Sequence, residues 1–465
     1  MNGEETKSAG VKSQMQIDFT DKPISAWGGI ASLVARYVER LGFREWVEKN
    51  LPIAEVSPNG KGRYEKVLAL FLTVLTGGDR FSHMGWWGHG KEIMCRSFGV
   101  EWLPQSPSVM TRFWNKINSF EAAEILGSKL RSLAIEIACW EGMKEDELRF
   151  DSSVVTRYGR QEGALKGYNP KKHGRLSHHP QIAFLGRGYI VNLWNRSGNS
   201  SSGNGIVEFF SQTIRSLGGK IGVTRVLADT GYYMIDFIDH LERNGYLYII
   251  SAPMNQMLQR RIFDIKDWSC VDDGIEAAEF NFRHLAPGWK TERRYVVIRQ
   301  EISKRPKASG KQMSLFHDLP EGKNYRYSVL ITNETMLPVE VWRTHRPRAT
   351  VENVIDDMKG GYGFASFSLH SFWATEAVMA MIGMVFRNLI VHLNRNILNP
   401  EGQKPELRTL RLKMFIIPAL LGSDGRRHVL RLGVTDQKIR GKIVQLLEKI
   451  SFMNTRINCN AVGFT

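Results

Sequence analysis

The run Glu147-Leu-Arg-Phe-Asp-Ser-Ser-Val-Val155 constrains the fold more than any other stretch of the chain. Leu148 and Phe150 alternate with Arg149 and Asp151, and the β-branched pair Val154-Val155 follows. That period of two predicts a strand with one buried face. The strand presents an aspartate just where the chain changes character. Between Thr156 and Leu185 there are six Lys or Arg, three His and one acid, Glu162. An acidic side chain held on a strand in front of a cationic, glycine-containing loop suits a metal-dependent enzyme that handles phosphate backbones. A capping aspartate beside a solvated loop is the simpler alternative, and this stretch alone leaves both open.

A second strand repeats the device. Val223 to Ala228 is an apolar run that ends in Asp229-Thr-Gly231, which puts a carboxylate at the C-terminal end of a buried strand, where open α/β sheets bind ligands. His179 to Phe184 and Tyr189 to Trp194 predict two strands joined by Gly186-Arg187-Gly188. Gly198 to Gly205 reads as a flexible loop, and Ile206 to Leu217 as a helix stopped by Gly218-Gly219. After Asp229 come a helix (Met234 to Asn244) and an apolar strand (Tyr246 to Ala252). The alternation predicts an α/β sheet core.

Four segments follow from this reading. Residues 1–22 form a polar, flexible N-terminus. Residues 23–145 form a helical domain, 146–395 a catalytic domain with a β-rich insertion at 254–342, and 396–465 a helical basic C-terminal region. In the helical domain, Ser106-Pro107-Ser108 offers a cap and a first-turn proline for a helix over Val109 to Ile117. Arg112, Asn115 and Lys116 fall on its polar side. This suits a helix-turn-helix DNA reader and equally a helical bundle with ordinary surface charges. A longer helix, Ser119 to Trp140, leads to the first aspartate. Within the insertion, Tyr295 to Arg299 and Tyr325 to Thr332 read as strands. The C-terminal region carries 11 Lys or Arg against 5 acids between Glu401 and Ile450.

The charge balance points to a polyanionic partner. Of 465 residues, 63 are Lys or Arg and 47 Asp or Glu, a net charge of +16. Nucleic acid is favoured over membrane, because the apolar run Ala377 to Phe386 stops at Arg387, short of a bilayer span. Cys95, Cys139, Cys270 and Cys459 form no C-x-x-C pair, which argues against a zinc finger and fits a reducing cytoplasm. The N-terminal sequence lacks the basic and apolar regions of an export signal, so a cytoplasmic, nucleoid-associated protein is expected.

The third acid lies on a helix that begins near Thr350. Val351, Ile355 and Met358 give it an apolar stripe, while Arg348, Glu352, Asp356 and Lys359 share another face. An i,i+4 ion-pair ladder would look the same. Three acids could hold two Mg2+ or Mn2+ ions about 4 Å apart, one activating the nucleophile and the other stabilising the leaving oxygen. Hard cations want carboxylate oxygens.

Four stretches carry a family resemblance: D-S-S-V-V from Asp151, Q-E-G-A-x-x-G-Y-N-P-K-K-x-G-R from Gln161, A-D-T-G-Y from Ala228 and H-x-x-R-x-x-x-E-x-x-x-x-x-x-K from His345. In this order they resemble the DDE transposases of bacterial insertion sequences, narrowly the group named after insertion sequence thirteen-eighty, related to the insertion-sequence-four type. The resemblance implies a ribonuclease H-like catalytic core with a β-rich insertion, flanked by an N-terminal helical DNA-binding domain. It implies Asp151, Asp229 and Glu352 as metal ligands and Arg348 and Lys359 as contacts to DNA phosphate. His345 replaces the family's tyrosine in the last motif. Lys166, Lys171, Lys172 and Arg175 would line the DNA channel, and the N-terminal helices with Arg112, Asn115 and Lys116 would read the terminal inverted repeats. Trp289 and Trp342 are candidates for stacking a flipped base, or are packing aromatics. The activity implied is end cleavage and joining to target DNA by a homodimer. A nuclease without strand joining and a DNA-binding protein without chemistry are the competing expectations.

Overall fold

The computed structural model describes residues 19–55, 62–400, 402 and 406–460; most of the flexible N-terminus expected over 1–22 lies outside them. A nine-stranded mixed sheet organises the chain. In chain order its strands are β1 (Glu145–Ser152), β2 (Gln181–Leu185), β3 (Ile190–Trp194), β4 (Gly222–Ala228), β5 (Tyr248–Ser251), β6 (Ser269–Asp272), β7 (Ile275–Phe282), β8 (Arg293–Glu301) and β9 (Tyr325–Thr332). Their spatial order is β6-β7-β8-β9-β5-β4-β1-β2-β3. Strand β1 runs parallel to β4 and antiparallel to β2, and β4 runs parallel to β5.

Strand β1 is central, and this corrects the one-faced strand expected from its pattern. Leu148, Arg149, Phe150 and Asp151 are all buried. Leu148 and Phe150 turn to one face, where Phe150 meets the rings of Phe209, Phe210, Tyr232 and Phe237 at 6.0–6.2 Å. Helices α2 (Ile206–Leu217) and α3 (Ile235–Arg243) supply three of those rings. Covering Phe150 contributes on the order of 2–3 kcal/mol. The opposite face carries Arg149, whose charge is paired with Glu147, and Asp151.

The insertion at 254–342 is a continuation of the sheet. Strand β9 joins the edge of β5 through Leu330↔Ser251, Ile331↔Ile250 and Thr332↔Ile249, and β8, β7 and β6 follow antiparallel. Tyr295 to Arg299 and Tyr325 to Thr332 are strands as expected. The β6–β7 hairpin turns at Asp273-Gly274, with Gly274 at φ +67°. Helix α4 (Pro338–His345) covers one face, with Val341 packed on Leu227, Ile249, Ile298 and Leu330.

Helix α1 (Phe120–Cys139) starts where Ser119 Oγ accepts from the Ala122 N–H, close to the expected boundary. Helix α5 (Thr350–Gly360) buries Val351, Ile355 and Met358. The helix from Phe372 to Leu398, α6, matches the long apolar core helix that the sequence predicts over Phe372 to Ile397, and Arg387 interrupts its apolarity without ending it. Its 27 residues have the length and apolarity to cross a membrane, but 89% of its most apolar window is buried inside the protein. Arg387 is accommodated by donating from Nη1 to the Gly188 carbonyl at 2.7 Å.

The C-terminal region is not simply helical, and the N-terminal one contributes a strand. Ala419–Asp424 and Arg427–Leu432 form a hairpin about Gly425, at φ +56°, and Ile24–Ser25 pairs with its first strand. Alternating side chains around a glycine at the first turn position are a hairpin signal that the basic composition obscured. The helix Gln437–Ser451 buries Ile443, Leu446 and Ile450, and beyond it the Leu41 carbonyl accepts from the Ile457 N–H at 2.9 Å. One hydrophobic core therefore runs from Ile30 to Ile457, across the expected segment boundaries.

Candidate active site

Asp151 and Asp229 meet because β1 and β4 are parallel and in register. Phe150 pairs with Ala228, so the next residue on each strand is an aspartate, and both stand at the C-terminal ends of the strands. The period of two places Asp151 with Arg149, and Asp229 with Leu227, on the face covered by α4 and α5. Asp151 is buried, with 8% of its surface exposed, and Oδ1 accepts from the Ser152 N–H at 2.7 Å. Asp229 caps the turn Thr230–Tyr232 and accepts from the Gly231 N–H at 2.9 Å. Burial, and then the charge of Asp229, pushes the Asp151 carboxyl up to about 7; Arg348 and the Ser152 N–H oppose this. Tyr232, fully buried beside the pair, is held neutral by burial and by the two carboxylates.

Glu352 stands off from this pair. It sits in the first turn of α5, its side chain 66% exposed, with Arg348 Nη2 at 3.8 Å from Oε1. The i,i+4 pair is thus present, while the charge of Glu352 still reaches Asp151. Among the described residues, no three His, Cys, Asp or Glu side chains converge closely enough to hold one ion. The Asp151–Asp229 pair nevertheless fits a divalent cation. It offers hard oxygen donors, and it buries a carboxyl against a second carboxylate with only Arg348 and one N–H in compensation.

The cationic residues surround the pair unevenly. Arg348 is mostly buried, and its charge acts on Asp151 and on His345. Lys359 Nζ donates to the Val154 carbonyl at 3.0 Å, and burial and Lys171 lower its pKa while Asp356 and Asp151 oppose. His345 points inward: Nε2 is 3.2 Å from the Ala228 carbonyl, and burial pushes the imidazole down to about 4. It is therefore neutral at pH 7 and donates to the end of β4. Lys166, Lys171, Lys172 and Arg175 are exposed on a small sheet of Val155–Thr156, Leu165–Lys166 and Leu176–His178. Lys172 lies 4.8 Å over the ring of Tyr158, and both Tyr158 and Tyr168 are exposed there.

The N-terminal trio is less free. The helix is Pro107–Trp114. Arg112 is exposed, but Asn115 is half-buried past the helix end, and Lys116 Nζ donates to the Ala54 carbonyl at 2.6 Å beside Glu55. Trp289 stacks on Tyr233 at 4.9 Å, and Trp342 lies under Arg346 at 5.5 Å. The loop 198–205, expected to be flexible, is pinned: Arg196 Nη1 donates to the carbonyls of Ser201, Ser202 and Asn204, and Ser202 Oγ meets Ser152 Oγ at 2.8 Å. Two residues escaped the sequence reading, Arg149 and Arg196. The alternation puts Arg149 on the unburied side of its strand, yet it is buried on the face of Asp151; Arg196 lies just past a predicted strand, where no sequence signal marks it, and is also buried.

Paired aspartates thus stand at the ends of adjacent parallel strands, near a cluster of cationic residues, in an α/β domain. The chain belongs to the family described as transposase DDE domain group 1, whose profile matches residues 100–451. No curated protein sequence matches it. Among solved structures it is similar to the piggyBac transposase synaptic complex with hairpin DNA, at 8% identity, covering 83% of this chain and 79% of that one, with a TM-score of 0.38.

Proposed function

We propose that this DDE transposase acts on the terminal inverted repeats of a bacterial insertion sequence of the thirteen-eighty group. On this reading it cuts the ends and joins the freed 3′-hydroxyl to target DNA, working as a homodimer on the nucleoid. The observation that carries the proposal is the registered Asp151–Asp229 pair, with Asp151 buried. The five strands β3-β2-β1-β4-β5, antiparallel on one side of β1 and parallel on the other, support a ribonuclease H-like core.

Asp151 and Asp229, joined by Glu352, would hold two Mg2+ or Mn2+ ions. Such ions supply activation of the attacking oxygen and neutralisation of charge on the phosphate. In cleavage, water attacks phosphorus and the 3′-oxygen departs; in joining, that 3′-hydroxyl attacks a target phosphodiester and a target 3′-oxygen departs. Arg348 and Lys359 flank the pair and would steady the phosphate by charge. Tyr232 would exclude water beneath it. The exposed cations from Lys166 to Arg175, interleaved with Tyr158 and Tyr168, suit a nucleic-acid backbone.

The test is a labelled DNA end from the flanking repeats incubated with a supercoiled plasmid, in Mg2+ or EDTA. Metal-dependent joining of the end to the plasmid is expected. Cutting without joining would replace the proposal with a nuclease, and binding alone would leave a DNA-binding protein. For the basic loop, replacing Lys171 and Lys172 with alanine should reduce the slope of log K against log salt by about 1 per lysine. An unchanged slope would remove these residues from the DNA path.

A further inference from the structure

We infer that Arg149 is a positioning residue for the third carboxylate: its buried guanidinium ties β1 to the turn that launches α5, and so sets where Glu352 is presented. The inference rests on the proposed role of Glu352.

Arg149 is 6% exposed. Its Nε donates to Glu147 Oε1 at 2.7 Å, and Nη2 donates to the same oxygen. That pairing within β1 already neutralises the charge. The remaining donor group is directed elsewhere: Nη1 donates to the Pro347 carbonyl and to Thr350 Oγ1, each at 2.9 Å. Thr350 Oγ1 in turn donates to the Pro347 carbonyl at 2.8 Å, so the turn is closed on itself as well as on the strand. Arg149 lies one side-chain step from Asp151 on the same face, about 6–7 Å along the strand. Thr350 lies two residues before Glu352. The far end of α5 is tied to the same segment by Lys359 Nζ on the Val154 carbonyl. The helix is thus held at its start to β1 and at its end to the residues that directly follow β1. Outer partners of metal-binding side chains act in this way, by fixing a ligand's orientation.

Arginine is required by the geometry. The planar fork serves Glu147 and the Pro347–Thr350 turn simultaneously, whereas a lysine ammonium on a flexible stem is a point charge that would settle on Glu147. Arg149→Lys therefore keeps the ion pair and loses the tie. Thr350→Val removes only the hydroxyl and nearly preserves shape.

The experiment uses the full chain bound to its DNA end, with Fe2+ and ascorbate in place of Mg2+, so that radicals formed at bound ions cut the nearby backbone. Wild-type protein should be cut near residues 151, 229 and 352. In Arg149→Lys the cuts near 151 and 229 should persist, while the cut near 352 weakens about tenfold or more; Thr350→Val, which keeps the Arg149–Pro347 bond, should weaken the cut near 352 to a lesser extent. End binding by Thr350→Val should match wild type, which a merely structural loss would not allow. A cut near 352 at wild-type intensity in both variants would overturn the inference alone. Absence of that cut in the wild type would overturn the assignment of Glu352, and the inference with it.

Discussion

Asp151→Asn and Asp229→Asn proteins are expected to bind their DNA ends as the wild type does and to cut them at least about a thousandfold more slowly. Each substitution keeps the volume of the side chain and removes one anionic oxygen from a pair of two. The lost transition-state charge stabilisation is several kcal/mol, and each 1.36 kcal/mol is a factor of ten in rate. Binding should survive because the exposed cations of the 166–175 loop are untouched, and removing negative charge near DNA cannot weaken a positive surface. The measurement is a single-turnover cleavage assay beside a binding titration at fixed salt. Residual cleavage within tenfold of wild type in either variant would remove that aspartate from the chemistry. Asp356→Ala serves as the control: its side chain lies one turn beyond Glu352, and full activity is expected.

The strand-end positions of the two aspartates were legible because Asp151 closes an alternating Leu-Arg-Phe pattern and Asp229 ends an apolar run. Nothing local says that the two strands are neighbours. Their register, Phe150 opposite Ala228, comes from long-range pairing, as does the joining of β9 to β5 that turns the insertion into half of the sheet. The burial of Arg149 was illegible for the same reason. Alternation of Leu and Phe with Arg and Asp predicts a wet face, and only a central position lets that face be covered and its guanidinium be satisfied by a turn 198 residues away. The C-terminal hairpin failed differently. Gly425 and the alternation around it were available, but six Lys or Arg from Lys413 to Arg440 read more readily as a basic helical region. For Glu352 the sequence allowed either an i,i+4 pair or a ligand, and the structure contains the pair.

The metal-free protein is expected to lose stability as pH rises from about 4 to about 7, through Asp151. Its carboxyl titrates near 7 in the fold, against 3.8 as the ordinary value. Between those pH values the folded state binds a proton that the unfolded state does not, so ∂ΔG/∂pH is negative in that window. Above pH 7 the whole penalty is present, up to about 4 kcal/mol. Several histidines act in the opposite sense. Burial holds His178, His345 and His392 down to about 4, so their contribution is lost as pH falls, and the raw curve combines both trends. The difference between wild type and Asp151→Asn isolates the carboxyl. Urea midpoints in EDTA should show the variant gaining on the wild type as pH rises, and clearly more stable at pH 8. Mg2+ should then raise the wild type at pH 8 and leave the variant nearly unchanged, because a cation relieves the repulsion that the amide has already removed. Parallel pH curves for the two proteins would mean that Asp151 is ionised without cost in the fold, and that the pair is not the site where positive charge is wanted.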